Sequence, residues 1–187
     1  MVSEMIDGER VRLRSFELSD IDEIMKHWNN MKLRNLLGSA DEGPASRNDV
    51  EEWIRNTWKQ RQERKAFTFA IETIVDGKVI GGIGLEINWT SRSASLGIGI
   101  YDPSKWGKGY GQESLNLILG FAFQNLNLNR VELDTLDFNK RAQECYQKVG
   151  FKEVGRRRKA SFIDGNYCDE IIMDILKDEW LAIHTKD

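Results

Sequence analysis

The sequence predicts an α+β fold, a mixed and mostly antiparallel sheet of about six or seven strands flanked by about four helices. Three observations predict it. After an opening strand, apolar residues recur with a helical period of ~3.6 up to about residue 65 and then alternate with period 2, so helices precede a strand meander. One glycine-rich run, Trp106-Gly107-Lys108-Gly109-Tyr110-Gly111, lies between an alternating segment and a helical one. No repeat, low-complexity stretch or linker divides the 187 residues, so a single domain over 1–187 is expected.

Taken in order, residues 10–14 alternate strictly and read as an opening strand. Ser19-Asp20 precede Ile21, Ile24, Met25 and Trp28 at helical spacing, an N-cap followed by an amphipathic helix. After a polar connection around Pro44, Asn48-Asp49 read as the cap of a second helix with the stripe Val50, Trp53, Ile54 and Trp58. Phe67, Phe69 and Ile71 alternate in one strand, Asp76-Gly77 makes a hairpin turn, and Val79 to Asn88 return. Ser91-Arg92-Ser93 turn into Ala94–Tyr101, which Asp102-Pro103 stop. Beyond the glycine loop, Leu115, Ile118, Leu119, Ala122 and Leu126 mark a helix from about Gln112 to Leu126, apolar enough all round to be central. Val131–Leu136 form another strand, Asn139 caps a short helix closed by Gly150, and 151–162 and 167–175 pair across Asp164-Gly165. His27, Trp28, Trp53 and Trp58 fit helix faces and read as core or cleft wall.

Composition narrows the function. The net charge of −3, from 27 basic and 30 acidic residues, argues against a protein that grips nucleic acid. Arg156-Arg157-Arg158-Lys159 would split between two faces of a late strand, as edge protection does. No run of ~18 apolar residues is present, so no membrane span is expected. Met1-Val2-Ser3-Glu4 lack a signal-peptide pattern, and two cysteines make no disulfide framework; a cytoplasmic protein is expected. Cys145, Cys168, His27 and His184 offer no zinc spacing, so no metal is expected.

The loop at 106–111 is suited to an anion. Glycines at alternate positions let backbone N–H groups turn to one point, and the following helix adds its free N–H groups and positive dipole end. A pyrophosphate fits such a site; a ligand-free turn is the alternative reading. Lys108 is followed by Gly109 where a nucleotide-hydrolysing loop needs Ser or Thr. A dinucleotide fingerprint fails at Gln112 counting from Gly107 and at Ser114 counting from Gly109, although Asp134 imitates its ribose-binding acid. A dinucleotide-binding module therefore stays only as an alternative.

The loop resembles the Gln/Arg-x-x-Gly-x-Gly/Ala pyrophosphate loop of the GNAT superfamily of N-acetyltransferases: Gly109 and Gly111 match, and Trp106 stands where Gln or Arg is usual. The segment Asn139 to Phe151 resembles that family's Asn-x-x-Ala-x-x-x-Tyr-x-x-x-Gly-Phe. Val11-Arg12-Leu13-Arg14 and the 162–167 hairpin are similar to the branch of ribosomal-protein and spermidine/spermine acetyltransferases. The resemblance implies a sheet splayed at its centre and an acetyl-CoA-dependent transfer to a primary amine, a protein N-terminus or a polyamine-like molecule. Cys145 adjoins Tyr146 without a His partner in the motif, so direct transfer in a ternary complex is the simpler mechanism, in a monomer or homodimer. The resemblance implies coenzyme contacts at Ile98, Gly99, Ile100, Trp106, Gly107, Lys108, Gly109, Tyr110, Gly111, Gln112, Asn139, Ala142 and Tyr146. The oxyanion donor would be the N–H of Ile98 or Gly99, and Tyr146 the general acid; packed beside Phe151, Tyr146 would instead be structural.

The base stays open. Relatives often carry Glu two residues before the strand glycine, where this chain has Ser95. Glu86, facing opposite to Ile83, Leu85 and Ile87, is both amine anchor and base if its face lines the cleft, and otherwise a solvated sheet residue. Glu42 resembles in position an acidic loop that contacts polyamines, or is a surface glutamate. The missing Glu also leaves a non-catalytic acyl-CoA sensor as an alternative.

Overall fold

A computed structural model describes residues 5–38 and 43–184. Glu42 lies outside the described residues. Among them one sheet of eight strands runs in the order β1-β2-β3-β4-β5-β6-β8-β7. The strands are β1 (Ile6–Asp7), β2 (Val11–Arg14), β3 (Ala66–Thr73), β4 (Val79–Asn88), β5 (Ser93–Ile100), β6 (Arg130–Leu136), β7 (Lys152–Ile163) and β8 (Asn166–Leu176). The helices are α1 (Ile21–Trp28), α2 (Met31–Leu37), α3 (Arg47–Gln62), α4 (Tyr110–Gly120, continued by one π turn, Phe121–Asn125), α5 (Lys140–Val149) and α6 (Lys177–His184).

Every neighbouring pair of strands is antiparallel except β5 and β6, which α4 connects as a crossover. Parallel neighbours require such a connection, and the helical period after the glycine loop supplies it. Each face of the sheet carries a separate core. On one face Leu115, Ile118, Leu119 and Phe123 of α4 pack with Ile83, Leu85, Val131 and Ile175. On the other, Ile21, Ile24, Val50 and Ile54 of α1 and α3 pack with Phe16, Ala70 and Tyr101.

Three elements escaped the periodicity argument: β1, α2 and α6. The second predicted cap also moves. Ser46, not Asn48-Asp49, starts α3: its hydroxyl accepts from the Asp49 N–H at 3.2 Å, and Asp49 accepts from the Ser46 N–H at 2.7 Å. Asp49 is therefore the third residue of a reciprocal capping box. Asn139 does cap α5 by accepting from the Ala142 N–H, and Gly150 ends it at φ 112°. Asp20 is buried, and Arg14 holds both its oxygens at 2.8 Å while also meeting Glu72.

Candidate active site

The sheet opens between β5 and β6. Their pairing covers only Ser93–Ser95 against Arg130–Glu132, while β5 continues to Ile100 and β6 to Leu136. Tyr101 donates its N–H to Ile80 O at 2.8 Å, so in the continuous register Gly99 and Gly97 also turn their backbone groups toward β4. Ile98 and Ile100 turn theirs into the gap. The Trp106 indole N–H occupies the Ile100 carbonyl at 2.7 Å, and because pairing with β6 stops at Ser95, the Ile98 amide has no strand partner among the described residues. Of the two oxyanion candidates, Ile98 faces the gap and Gly99 faces β4.

A cleft of about 670 Å³ fills the gap. Ile98, Gly99, Ile100, Trp106, Gly107, Gly109, Tyr110, Gly111, Gln112, Asn139, Ala142 and Tyr146 all line it. Lys108 is exposed and is not part of the wall. Sequence reasoning missed Arg141, Cys145 and the α2 residues Leu33, Leu36 and Leu37, which line it too. The Arg141 guanidinium lies 4.0 Å over the Trp106 ring, and burial draws its ordinarily high pKa down.

The loop glycines differ in kind. Gly107 and Gly109 have φ of 71° and 84°, a region that side chains rarely adopt. Gly111 is already helical, and a methyl group there would make ordinary contacts with Cys145, Ile98 and Ile100. Among the described residues, the N–H groups of 107–112 donate to no protein acceptor; the first such bond is from Glu113 to Gly109 O at 3.1 Å. These free donors at the start of α4, with the open amide of Ile98, fit a diphosphate joined to an amide-containing arm. Tyr146, buried beside Phe151 with ring centroids 6.1 Å apart, has its phenol pushed above the usual range by desolvation, then by Cys145 and Asp134.

A second cavity of about 520 Å³ lies on the opposite face of β5, under α1 and α3. It shares Leu37, Leu96, Gly97, Ile98 and Gly99 with the cleft, so the two meet along β5. Trp28, Trp53 and Tyr101 line it; Trp28 meets Tyr101 edge-on at 5.1 Å and Trp53 in a stack at 6.2 Å. Among the described residues Glu86 is its one charged side chain. Glu86 stands opposite Ser95, three positions from Ile98, which is about 10 Å along the strand. Gly82 and Gly84 lie on the floor, which gives these β4 glycines a place the sequence alone did not reveal.

A GNAT acetyltransferase domain model matches residues 10–152. A spermidine N(1)-acetyltransferase of Vibrio cholerae is 32% identical over 176 residues, 93% of this chain and 97% of that protein. A putative ribosomal N-acetyltransferase of Bacillus subtilis is 27% identical over 176 residues, 92% of this chain and 94% of that protein. The crystal structure of the Vibrio cholerae spermidine N-acetyltransferase in complex with CoA and spermine superposes with a TM-score of 0.82 at 30% identity, covering 93% of this chain and 99% of that one. An acetyltransferase of the GNAT family from Bacillus anthracis shares the fold, with a TM-score of 0.81 at 19% identity, over 94% and 99% of the two chains. The single parallel pair in the sheet removes the dinucleotide alternative, since a doubly wound fold needs a mostly parallel one.

Proposed function

The chain belongs to the GNAT acetyltransferase family and is an acetyl-CoA-dependent N-acetyltransferase, and from that premise we propose that it acetylates a polyamine-like primary amine by direct attack in a ternary complex. One observation carries the choice of acceptor. The second cavity has aromatic walls and, among the described residues, a single charged group, the Glu86 carboxylate, which together suit an alkyl chain bearing ammonium groups. A peptide N-terminus would also bring backbone groups that need partners there. The Vibrio cholerae relative named for spermidine supports the same class.

Acetyl-CoA supplies the acetyl group already activated as a thioester. The loop N–H groups of 107–112 take the diphosphate, and Asn139 and Ala142 border the arm. The Ile98 N–H receives the negative charge that develops on the carbonyl oxygen. An alkylammonium of reference pKa ~10.4 must lose a proton before nitrogen can attack. Direct abstraction needs a base within ~3 Å or one water away. Glu86, about 10 Å along the strand from Ile98, is too distant for the direct route. We therefore assign Glu86 to a second ammonium group of the acceptor, and let water in the cavity carry the reacting proton. Tyr146 donates to the departing sulfur. Burial holds its phenol protonated, and above the ~8.5 of a free thiol, so it works as a hydrogen-bond donor, while the proton that completes the thiol originates on the amine.

We read the chain as one acetyltransferase unit that works in the cytoplasm as a monomer or homodimer. No helix among the described residues is long and apolar enough to cross a membrane, which is compatible with that reading. The test is release of free coenzyme A over a panel of monoamines, diamines, polyamines and N-terminal peptides. Preference for a polyamine over a monoamine of equal length is expected. Preference for a peptide would overturn the acceptor assignment, and zero turnover with intact acetyl-CoA binding would favour a sensor.

A further inference from the structure

Arg10 immediately precedes β2, far in sequence from the glycine loop, yet its side chain reaches behind that loop. Its Nη1 donates to Lys108 O at 2.9 Å and its Nη2 reaches Gly109 O at 3.4 Å. Its Nε donates to Glu113 Oε2 at 2.8 Å. The other oxygen of Glu113 accepts the N–H groups of Glu9 and Arg10 at 2.8 Å and of Val11 at 3.3 Å. Burial alone would raise the Glu113 pKa, but these bonds outweigh it and hold the carboxyl below its usual range. Three bonds thus hold the guanidinium, which stays half exposed, and Glu113 sets its orientation.

We propose that Arg10 is the positioning residue of the phosphate-binding loop. In a planar trans peptide the C=O and the N–H point in opposite directions. Pulling the Lys108 carbonyl toward Arg10 turns the Gly109 N–H away from it, and holding the Gly109 carbonyl does the same for Tyr110. The grip comes from the side opposite the cleft, so the donors face the ligand. The Gly109 carbonyl also accepts from the Glu113 N–H at 3.1 Å; among the described residues the Lys108 carbonyl is held by Arg10 alone, and Gly109, the N-cap of α4, has no side-chain cap. Engaging Glu113 also matters, since a free carboxylate in the first turn of α4 would repel a diphosphate. Gly8 makes room for this arrangement: a methyl group there would lie 2.5 Å from Glu113 Oε1. The inference rests on the assignment of residues 107–112 to the diphosphate.

The test compares acetyl-CoA with S-acetylpantetheine, a donor lacking the diphosphate, for wild type, Arg10→Ala, Arg10→Lys and Gly8→Ala. In Arg10→Ala the KM for acetyl-CoA and the calorimetric Kd of coenzyme A should both rise about tenfold, the worth of a charge-assisted hydrogen bond, with kcat within about twofold. The ratio of kcat/KM for acetyl-CoA to that for S-acetylpantetheine should fall by the same factor. Arg10→Lys keeps the charge but not the fork, so it should recover only part of the loss. Gly8→Ala, whose Cβ would also lie 2.8 Å from the Val11 carbonyl oxygen, should displace Glu113 together with the turn before β2 and show a loss of the same kind. An equal fall with both donors would overturn the proposal, because Arg10 would then serve the fold. No change with either donor would overturn it too, since the loop would hold its own shape. A wild-type protein that does not favour acetyl-CoA over S-acetylpantetheine would overturn the diphosphate assignment itself, a failure visible before any variant is made.

Discussion

Gly97 offers the sharpest separation of folding from function. An ideal Cβ built there has no protein atom within 4 Å, although the residue lies in the middle of β5. Its space belongs to the junction of the two cavities. Its φ lies outside the left-handed region, so replacement costs no backbone strain. Gly97→Ala should therefore raise stability, by about 0.5–1 kcal/mol, because a strand interior penalises glycine and the unfolded chain loses freedom. The effect on the reaction has the opposite sign. A methyl intrudes by more than 1 Å where, in the proposed reading, acceptor and thioester meet, and a 1 Å misplacement can cost about 100-fold, or ~2.7 kcal/mol of transition-state energy. Gly97→Leu should cost more. The assay is thiol release at saturating acetyl-CoA with varied amine, beside urea unfolding of the same preparations. The contrasting variant is Gly81→Ala, whose Cβ would lie 2.3 Å from the Gly99 carbonyl oxygen. There the strands must separate, so stability should fall by about 1–3 kcal/mol. A Gly97→Leu enzyme with kcat/KM within threefold of wild type would refute the reasoning, as would a Gly97→Ala protein less stable than the parent.

Tyr146→Phe should lower kcat strongly with little change in coenzyme A affinity. It should leave any titration of the rate below pH 10 where it was, since the buried phenol stays protonated there; a wild-type alkaline limb that vanishes in the variant would contradict this. The buried phenols of Tyr101 and Tyr146 have raised folded-state pKa values, so their stabilising contribution is complete below pH 10 and is lost above it, as the unfolded tyrosines ionise first. Tyr101→Phe should flatten the alkaline fall in urea-unfolding stability, and an unaltered slope would count against that burial. Glu86→Gln should raise KM about tenfold for a polyamine and little for a monoamine, the value of one charged contact; an equal kcat loss for both would make Glu86 the base. Arg14→Met should destabilise by about 3 kcal/mol by thermal or urea unfolding, because it strands the buried Asp20 without its cation and leaves Glu72 only the longer contact with Arg12 at 3.7 Å.

What the sequence made legible follows from range. Alternation in 79–88 and 94–101, the caps at Asn139 and Gly150, and the crossover helix are decided by residues a few positions apart, and all stand in the structure. α2 was not legible because seven residues make barely two turns; its start depends on Asn30 accepting from the N–H groups of Lys32 and Leu33. β1 has two residues and exists only through its pairing with Leu13 and Arg12. The aromatic wall of the second cavity joins α1, α3 and the end of β5, so no window of sequence contains it. The tie between Arg10 and Glu113 spans 103 positions and has no local signal at all.

The same distinction explains why the coenzyme half of the site carries motifs and the acceptor half does not. In the proposed reading the diphosphate and the arm meet backbone: N–H groups of a loop whose glycines hold φ of 71° and 84°, and an amide of a strand that has lost its neighbour. Backbone geometry demands particular residues at fixed spacing, and that demand is what a motif records. In the same reading the acceptor meets side chains spread over separate elements, each of which is free to differ so long as the cavity keeps its chemistry. β5 serves both halves because its period of two assigns them different atoms. Gly97 and Gly99 turn bare faces toward the acceptor cavity, while Ile98 between them turns its amide into the cleft. On the proposed assignment a base fixed at the Ser95 position is dispensable: with the amine held by a distant carboxylate and the carbonyl by a backbone donor, one water can carry the proton. Ser95→Glu is the decisive substitution. If it accelerates the wild-type reaction by more than about tenfold, a proton relay through water is limiting, and if it leaves the rate unchanged, deprotonation is already fast.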